Sequence, residues 1–268
     1  MRYDFITIVA VYGHHDGASS IPALIQSAAA LPGSKMLLLS NSKPAQLPDN
    51  IDWKKIPPLN YQQYSIFMMY CLASFIQSDY VLCVQDDGWA FNKNAWSDDF
   101  LNFDYIGAIN EVGLVPPTLD TDPGFRFNGM LVRADWKWLK ENKPIGVFNG
   151  GFSLRSKKYL NAPRDLGLPY VFDDNSIRQN EDLQLCLFMR EYLESSGIKY
   201  PTVEVAKKFS IEHVWPHDSA IDMTHIFGIH AYCVQLVGIN TIKVVDNTTL
   251  ISQVISKLLL DMGYKVYR

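Results

Sequence analysis

FITIVAVYGHHDGASSIPALIQSAAALPGSKMLLLSN, residues 5–41, decides the fold class. Phe5 to Tyr12 is rich in Ile, Val and Tyr and stops at GHHDG, the pattern of a strand running into a loop. Ser19, Ser20 and Pro22 supply an N-cap and a proline for the first helical turn ahead of ALIQSAAAL, and the apolar run MLLLSN follows Gly33. Strand, helix and strand in that order predict a crossover between parallel strands, hence an α/β protein with a mostly parallel central sheet.

The pattern repeats downstream. A second helix starts near Asn60 and runs through YSIFMMYCLASFIQ, and Tyr80 to Val84 reads as a further strand. In such sheets ligands bind at the strand ends, not on the faces. Beyond Asn92 the regularity weakens: AWSDDFLNF reads as a short helix and DYIGAI as a strand. Asn110 to Phe127, with Pro116, Pro117, Pro123 and Gly124, reads as a long irregular loop. Leu183, Leu187 and Tyr192 or Leu193 stand at helical spacing in NEDLQLCLFMREYLESS, which Gly197 ends. Leu250, Ile251, Val254, Ile255, Leu258 and Leu259 form an apolar stripe after a cap near Asn247 or Thr248. One domain over 1–268, with 236–268 as a C-terminal helical extension, accommodates all of this.

The 268 residues are 48% hydrophobic and 13% aromatic, enough for one substantial core. Net charge is -4, and no Lys/Arg block could neutralise a run of phosphates, which excludes a nucleic-acid partner. Cys71, Cys83, Cys186 and Cys233 lie far apart in apolar stretches and read as buried hydrophobes of a reducing, cytoplasmic compartment. MRYDFITIVAVYG fits a first strand better than a signal peptide. Ile56 to Ser78 is free of charge, but Pro57, Pro58, Asn60, Gln62, Gln63 and Gln77 make it a buried helix rather than a membrane span.

Four stretches could carry chemistry. In Gln85-Asp86-Asp87-Gly88, two carboxylates close an apolar strand. They serve either a turn in which Gly88 takes positive φ or a hard divalent cation, for which oxygen ligands and substrate phosphates are the usual shell. In GVFNGGFSLRS, Gly150 and Gly151 make a tight turn or admit a ligand against the backbone, with Arg155 available to an anion; the spacing matches neither a Walker loop nor a dinucleotide fingerprint. Glu181 and Asp182 in QNEDLQLC open a helix, where acids cap or accept a proton from a hydroxyl. His230 in IFGIHAY is either a packed core histidine or a ligand for Mn²⁺. His213, His217 and His225 read as surface or packing residues, Trp96 as core, and Trp89 as either core or a sugar-stacking ring.

In this order the four stretches resemble the GT-A superfamily of nucleotide-sugar glycosyltransferases, and most closely a bacterial glycosyltransferase-like group catalogued as a domain of unknown function. The resemblance covers roughly Phe5 to Tyr232. It implies a GT-A-like (Rossmann-like) three-layer sandwich. It also implies that Asp87 and His230 hold Mn²⁺ or Mg²⁺ against the diphosphate of a nucleotide sugar, UDP-linked by preference. Val11, Tyr12, Asn41, Gln85 and Asp86 then lie near the nucleotide. Gly150 and Gly151 shape the floor, and Asp182, beside Glu181, is the catalytic base of a hexosyltransferase-like, inverting reaction. The acceptor implied is a glycan or lipid-linked glycan of polysaccharide biosynthesis, with peripheral membrane association allowed and no transmembrane segment. Gln85 replaces the first acid of the family motif and brings no charge, which leaves Asp86 and Asp87 both open as principal ligand. Proton uptake by the leaving phosphate on the same face would retain configuration instead. A glycan- or nucleotide-binding module without turnover and a metal-dependent phosphoester hydrolase are the competing classes.

Overall fold

Ile6–Tyr12 forms the first strand, β1, and every one of its residues is buried. Alternation sends Ile6, Ile8 and Ala10 into one core cluster and Val9 and Val11 into another, so both faces of the strand are covered. The helix Ile21–Ala30, α1, begins with a proline in its first turn and lays Ala23 and Leu24 on the first face. The strands Lys35–Ser40 (β2) and Ile51–Lys55 (β3) extend the sheet outward in parallel register, Thr7 opposite Lys35 and Met36 opposite Ile51. Tyr61–Tyr70 forms α2, opened by a capping box between Asn60 and Gln63, and its Phe67 and Met68 cover the second face. Tyr80–Cys83 (β4) then pairs with β1 on the side away from β2, also in parallel.

The computed structural model describes residues 2–115, 126–127, 130–133, 145–171, 180–212 and 222–267. Among them, Gly88–Ala90 (β5), Tyr105–Val115 (β6), Arg126–Phe127 (β7), Met130–Arg133 (β8) and Ile145–Ser156 (β9) follow. The main sheet runs β3-β2-β1-β4-β9-β6-β8-β7. In its six-stranded centre, β3 to β6, the three pairs among β3, β2, β1 and β4 are parallel, whereas β4–β9 and β9–β6 are antiparallel. The centre is therefore mostly parallel, with helices on both faces, an α/β arrangement compatible with a Rossmann-like fold. Chain order reverses across β1, whose neighbours β2 and β4 lie on opposite sides, and the crevice beyond the C-terminal ends of β1 and β4 is the expected ligand position.

Several expectations from sequence need correction. Asn110–Val115 belongs to β6, held by pairing with β9 and β8, so the irregular loop is shorter at its start; residues 116–125 lie outside the described residues. After the helix Lys157–Asp165 (α3), the acidic stretch from Asn180 is not one helix. Glu181–Leu183 is followed by a π turn, Gln184–Phe188, and then by Arg190–Ser195. The buried Gln184 amide bonds both backbone groups of Val171, and the ladder widens there. Leu183, Leu187 and Leu193 are nonetheless buried, while Tyr192 is exposed.

Ser210–Ile211 (β10) and Gly228–His230 (β11) form a small second sheet with β5. The segment 236–268 is not helical throughout. Val234–Gly238 (β12) and Thr241–Val244 (β13) make a hairpin, which Lys265–Val266 (β14) joins after the helix Leu250–Asp261, itself capped by Thr249. A two-residue turn with Asn240 at φ 49 closes that hairpin, a local signal masked by the more conspicuous helical stripe after it. Cys83, Cys186 and Cys233 are buried as expected, but Cys71 is exposed. Among the described residues no helix is long and apolar enough to cross a membrane.

Candidate functional site

Gln85 and Gly88 exchange backbone hydrogen bonds of 2.9 and 3.1 Å, so the acid pair sits at the two corners of a tight turn that ends β4 and opens β5. The two side chains diverge. Asp86 accepts from the Tyr12 hydroxyl at 3.1 Å and from the Gln235 amide at 3.4 Å. Asp87 turns the other way, its Oδ1 lying 3.6 Å from His230 Nε2. Strand pairing makes this meeting possible: β11 runs antiparallel to β5 with His230 opposite Gly88. Gly88 is needed for space rather than for positive φ, since a Cβ there would lie 3.0 Å from both the Gly151 carbonyl and His230 Cδ2.

β10 is parallel to β11, which brings Glu212, just beyond Ile211, level with His230. Its Oε1 lies 3.7 Å from His230 Nδ1 and accepts from Asn149 at 3.1 Å. Burial alone would lower the His230 pKa, but the neighbouring Glu212 and the Asp87 charge outweigh it and raise it to about 9. Burial likewise raises the Asp87 carboxyl, partly offset by the His230 charge.

The glycine stretch forms a bulge in β9. Gly107 faces Ser153 and Ile109 faces Phe148, so Asn149, Gly150, Gly151 and Phe152 stand opposite Ala108 alone. A Cβ on Gly150 would lie 2.2 Å from Glu181 Oε1, and one on Gly151 would lie 2.2 Å from His230 Nε2. These glycines make room for the chain's own side chains. Their amides are engaged as well, Gly151 N–H to Asn149 Oδ1 at 2.7 Å and Gly150 N–H to Asp182 Oδ2 at 3.4 Å, so neither is left for a ligand.

Arg155 is not available to an anion. Its guanidinium, 1% exposed, donates to Glu181 Oε1 at 3.0 Å, to the Gly150 carbonyl at 3.2 Å and through Nε to Ser153 Oγ at 3.0 Å, above the Tyr105 ring. Glu181 is thus the partner of a buried cation, while its neighbour Asp182 faces the cleft. Asp182 accepts from the Leu183 amide at 2.7 Å, yet burial, followed by the Glu181 charge, raises its carboxyl to about 7.

These groups line two connected chambers. The outer one, about 570 Å³, is bounded by Val11, Tyr12, His14, His15, Asn60 and Gln235, among others. The inner one, about 250 Å³, is bounded by Asn149, Gly150, Gly151, Glu181, Asp182 and His230, among others. Tyr61, Tyr64, Gln85 and Asp87 line both. Among the described residues neither wall includes a lysine or arginine. Asn41 is behind the wall, donating to the Gly13 carbonyl at 3.2 Å. Trp89 is core, fully buried and donating to Tyr264. His225 is exposed beside Asp222, and His213 and His217 lie outside the described residues.

Tyr61, Tyr64, Glu212 and Gln235 were not singled out from sequence. The two tyrosines carry a usable signal, since they stand three apart directly after the Asn60 cap and share one helical face. Glu212 and Gln235 reach the site only through strand register.

As a metal site the arrangement is incomplete by itself: among the described residues no three His, Cys, Asp or Glu side chains are grouped to hold an ion. Asp87 and His230, with Oδ1 and Nε2 3.6 Å apart, are the two side chains that would hold a divalent ion accepting carboxylate oxygen and imidazole nitrogen. Glu212, behind the ring, is placed to orient it. The other positions would fall to water or a ligand.

Comparison with known families matches residues 55–230 to the family described as Protein of unknown function (DUF5672). The matched segment contains Asp86, Asp87, Gly150, Gly151, Glu181, Asp182 and His230 but not β1. A search of curated proteins finds no match. The match covers more than half of the chain, and the chain belongs to that family.

Proposed function

We propose that this member of the DUF5672 family is a metal-dependent glycosyltransferase of GT-A type, which moves a sugar from a nucleoside-diphosphate sugar to a hydroxyl of a glycan acceptor. The observation that carries the reading is the convergence of Asp87, His230 and Asp182, from three distant segments, on connected chambers at the reversal point of the sheet. The outer chamber has room for a nucleoside beside Val11 and Tyr12, and the inner one for a single sugar ring.

Charge favours a cation in the bound state. Among the described residues that line the cleft there is no lysine or arginine, and the Arg155 cation is already taken by Glu181, so a diphosphate would meet Asp86, Asp87 and Asp182 with His230 as the one basic group beside them, an approach that an accompanying counter-charge would ease. A divalent ion held by Asp87 and His230 would neutralise the charge that develops on the departing diphosphate.

Asp182 removes the acceptor's hydroxyl proton as that oxygen bonds to the anomeric carbon, and the electrons of the breaking carbon–oxygen bond leave with the diphosphate. A carboxyl near pKa 7 is well matched to that task at neutral pH. The Gly150 and Leu183 amides hold Asp182 in place, and Arg155 balances Glu181 so that one uncompensated acid faces the acceptor. Displacement in a single step inverts the configuration.

The test is a thermal-shift screen of nucleotide sugars with and without Mn²⁺. A rise in melting temperature that requires both ligand and metal supports the reading. Failure of every common nucleotide sugar to shift the protein contradicts it.

A further inference from the structure

Ten large hydrophobic side chains are exposed among the described residues, and seven of them fall between Tyr232 and Tyr267. Isolated exposed hydrophobics are ordinary, so what matters is which of these share one face. Strand register shows how it is built. Lys265 is opposite Thr241 and Val266 opposite Ile242, so Tyr267 follows beside Lys243, whose partner across β12 is Gln235. Leu236 and Ile242 point inward and are buried, which turns Lys243, Lys265 and Tyr267 to the outer face. Ile239, 54% exposed, projects from the hairpin turn, with Val237 exposed beside it.

We propose that this outer face of the β12–β13–β14 sheet docks on an anionic lipid surface. The apolar groups sit on a projecting turn and a strand edge, a shape that enters a headgroup layer. Tyr267 offers a ring of the kind that settles at such an interface. Charge selects the partner: in a chain of net charge -4, Lys243 and Lys265 are exposed on this face. Lys257 nearby is paired with Asp261, whereas neither Lys243 nor Lys265 has a carboxylate in ion-pair range among the described residues. The face also reaches the cleft, since Gln235 both belongs to β12 and lines the outer chamber. A docked molecule would therefore hold its cleft rim close to the headgroups. The inference goes beyond the transferase reading and stands or falls without a donor.

The experiment is co-sedimentation of the full chain with phosphatidylcholine vesicles, with and without phosphatidylglycerol. Pelleting only with the anionic vesicles, weakened by high salt, is expected. Lys243→Ala and Lys265→Ala should each weaken it about fivefold. The double variant Ile239→Asp, Tyr267→Asp should abolish it while leaving the melting temperature unchanged, because both side chains are exposed. Three results would overturn the proposal: a wild type that stays in the supernatant, variants that pellet like the wild type, or light scattering showing a dimer that Ile239→Asp dissociates, which assigns the face to a second copy of this chain.

Discussion

The two chambers of the cleft treat their carboxylates differently. In the outer chamber Asp86 is already satisfied by Tyr12 and Gln235, and its role is to hold the turn and the hairpin together. Asp87, which lines both chambers, and Asp182 in the inner one are pushed upward in pKa by burial, the first against His230 and the second with backbone amides as its hydrogen-bond partners among the described residues. Two adjacent acids in one turn thus differ in kind because the turn sends their side chains to opposite sides. Reactivity follows what the fold leaves uncompensated rather than residue type.

The largest effect that would sharpen this contrast is expected at Asp182. Asp182→Asn should lower transfer by about a hundred- to ten-thousandfold with donor binding kept, and wild-type transfer should rise with pH through about 7. The folded state holds a proton on Asp182 that the unfolded chain gives up from about pH 4, so the wild type loses stability between pH 4 and 7. Asp182→Asn should therefore melt higher than the wild type at pH 8, by about 2–4 °C for each kcal/mol recovered, with no gain at pH 4. An unchanged melting temperature at pH 8 would mean that the acid is not held in a desolvated site.

Next comes the pair behind it. Arg155→Met strands Glu181 without its cation and is expected to cost about 3–5 kcal/mol, read from the urea midpoint. Adding Glu181→Gln should recover part of that loss. A purely additive pair would mean that the two groups do not act together.

The smallest difference tests the comparison most narrowly. Asp87→Asn should weaken Mn²⁺-dependent UDP binding, measured by calorimetry, by at least tenfold, as loss of a metal contact does. Asp86→Asn should cost no more than an ordinary hydrogen bond, about 0.5–1.5 kcal/mol. Equal losses at the two positions would break the distinction between the chambers.

How much of this was legible in the sequence follows from how local each signal is. The strands β1, β2 and β4 and the start of α2 at Asn60 are written in contiguous patterns and point a ligand to the strand ends, whereas the reversal of chain order across β1 appears only in the strand pairing. The order of the acid pair, the glycines, Glu181, Asp182 and His230 along the chain was legible too. What Gly88, Gly150 and Gly151 are for was not, because each accommodates a side chain from a distant segment. Arg155 looked like an anion site for the same reason: its partner Glu181 is 26 positions away and meets it only once β9 has bulged. Glu212 and Gln235 depend on the register of short strands, which no local pattern specifies. Glu181 and Asp182 could be separated in role only once burial and partners were known.

The central claim is that Asp87 and His230 are two ligands of one ion that accompanies a nucleoside diphosphate. Anomalous scattering from crystals grown with Mn²⁺ and UDP measures this directly. The account predicts a single manganese peak between the Asp87 carboxylate and His230 Nε2, shared with the phosphate oxygens. UDP bound in the outer chamber with no peak there, or with manganese elsewhere, would contradict it.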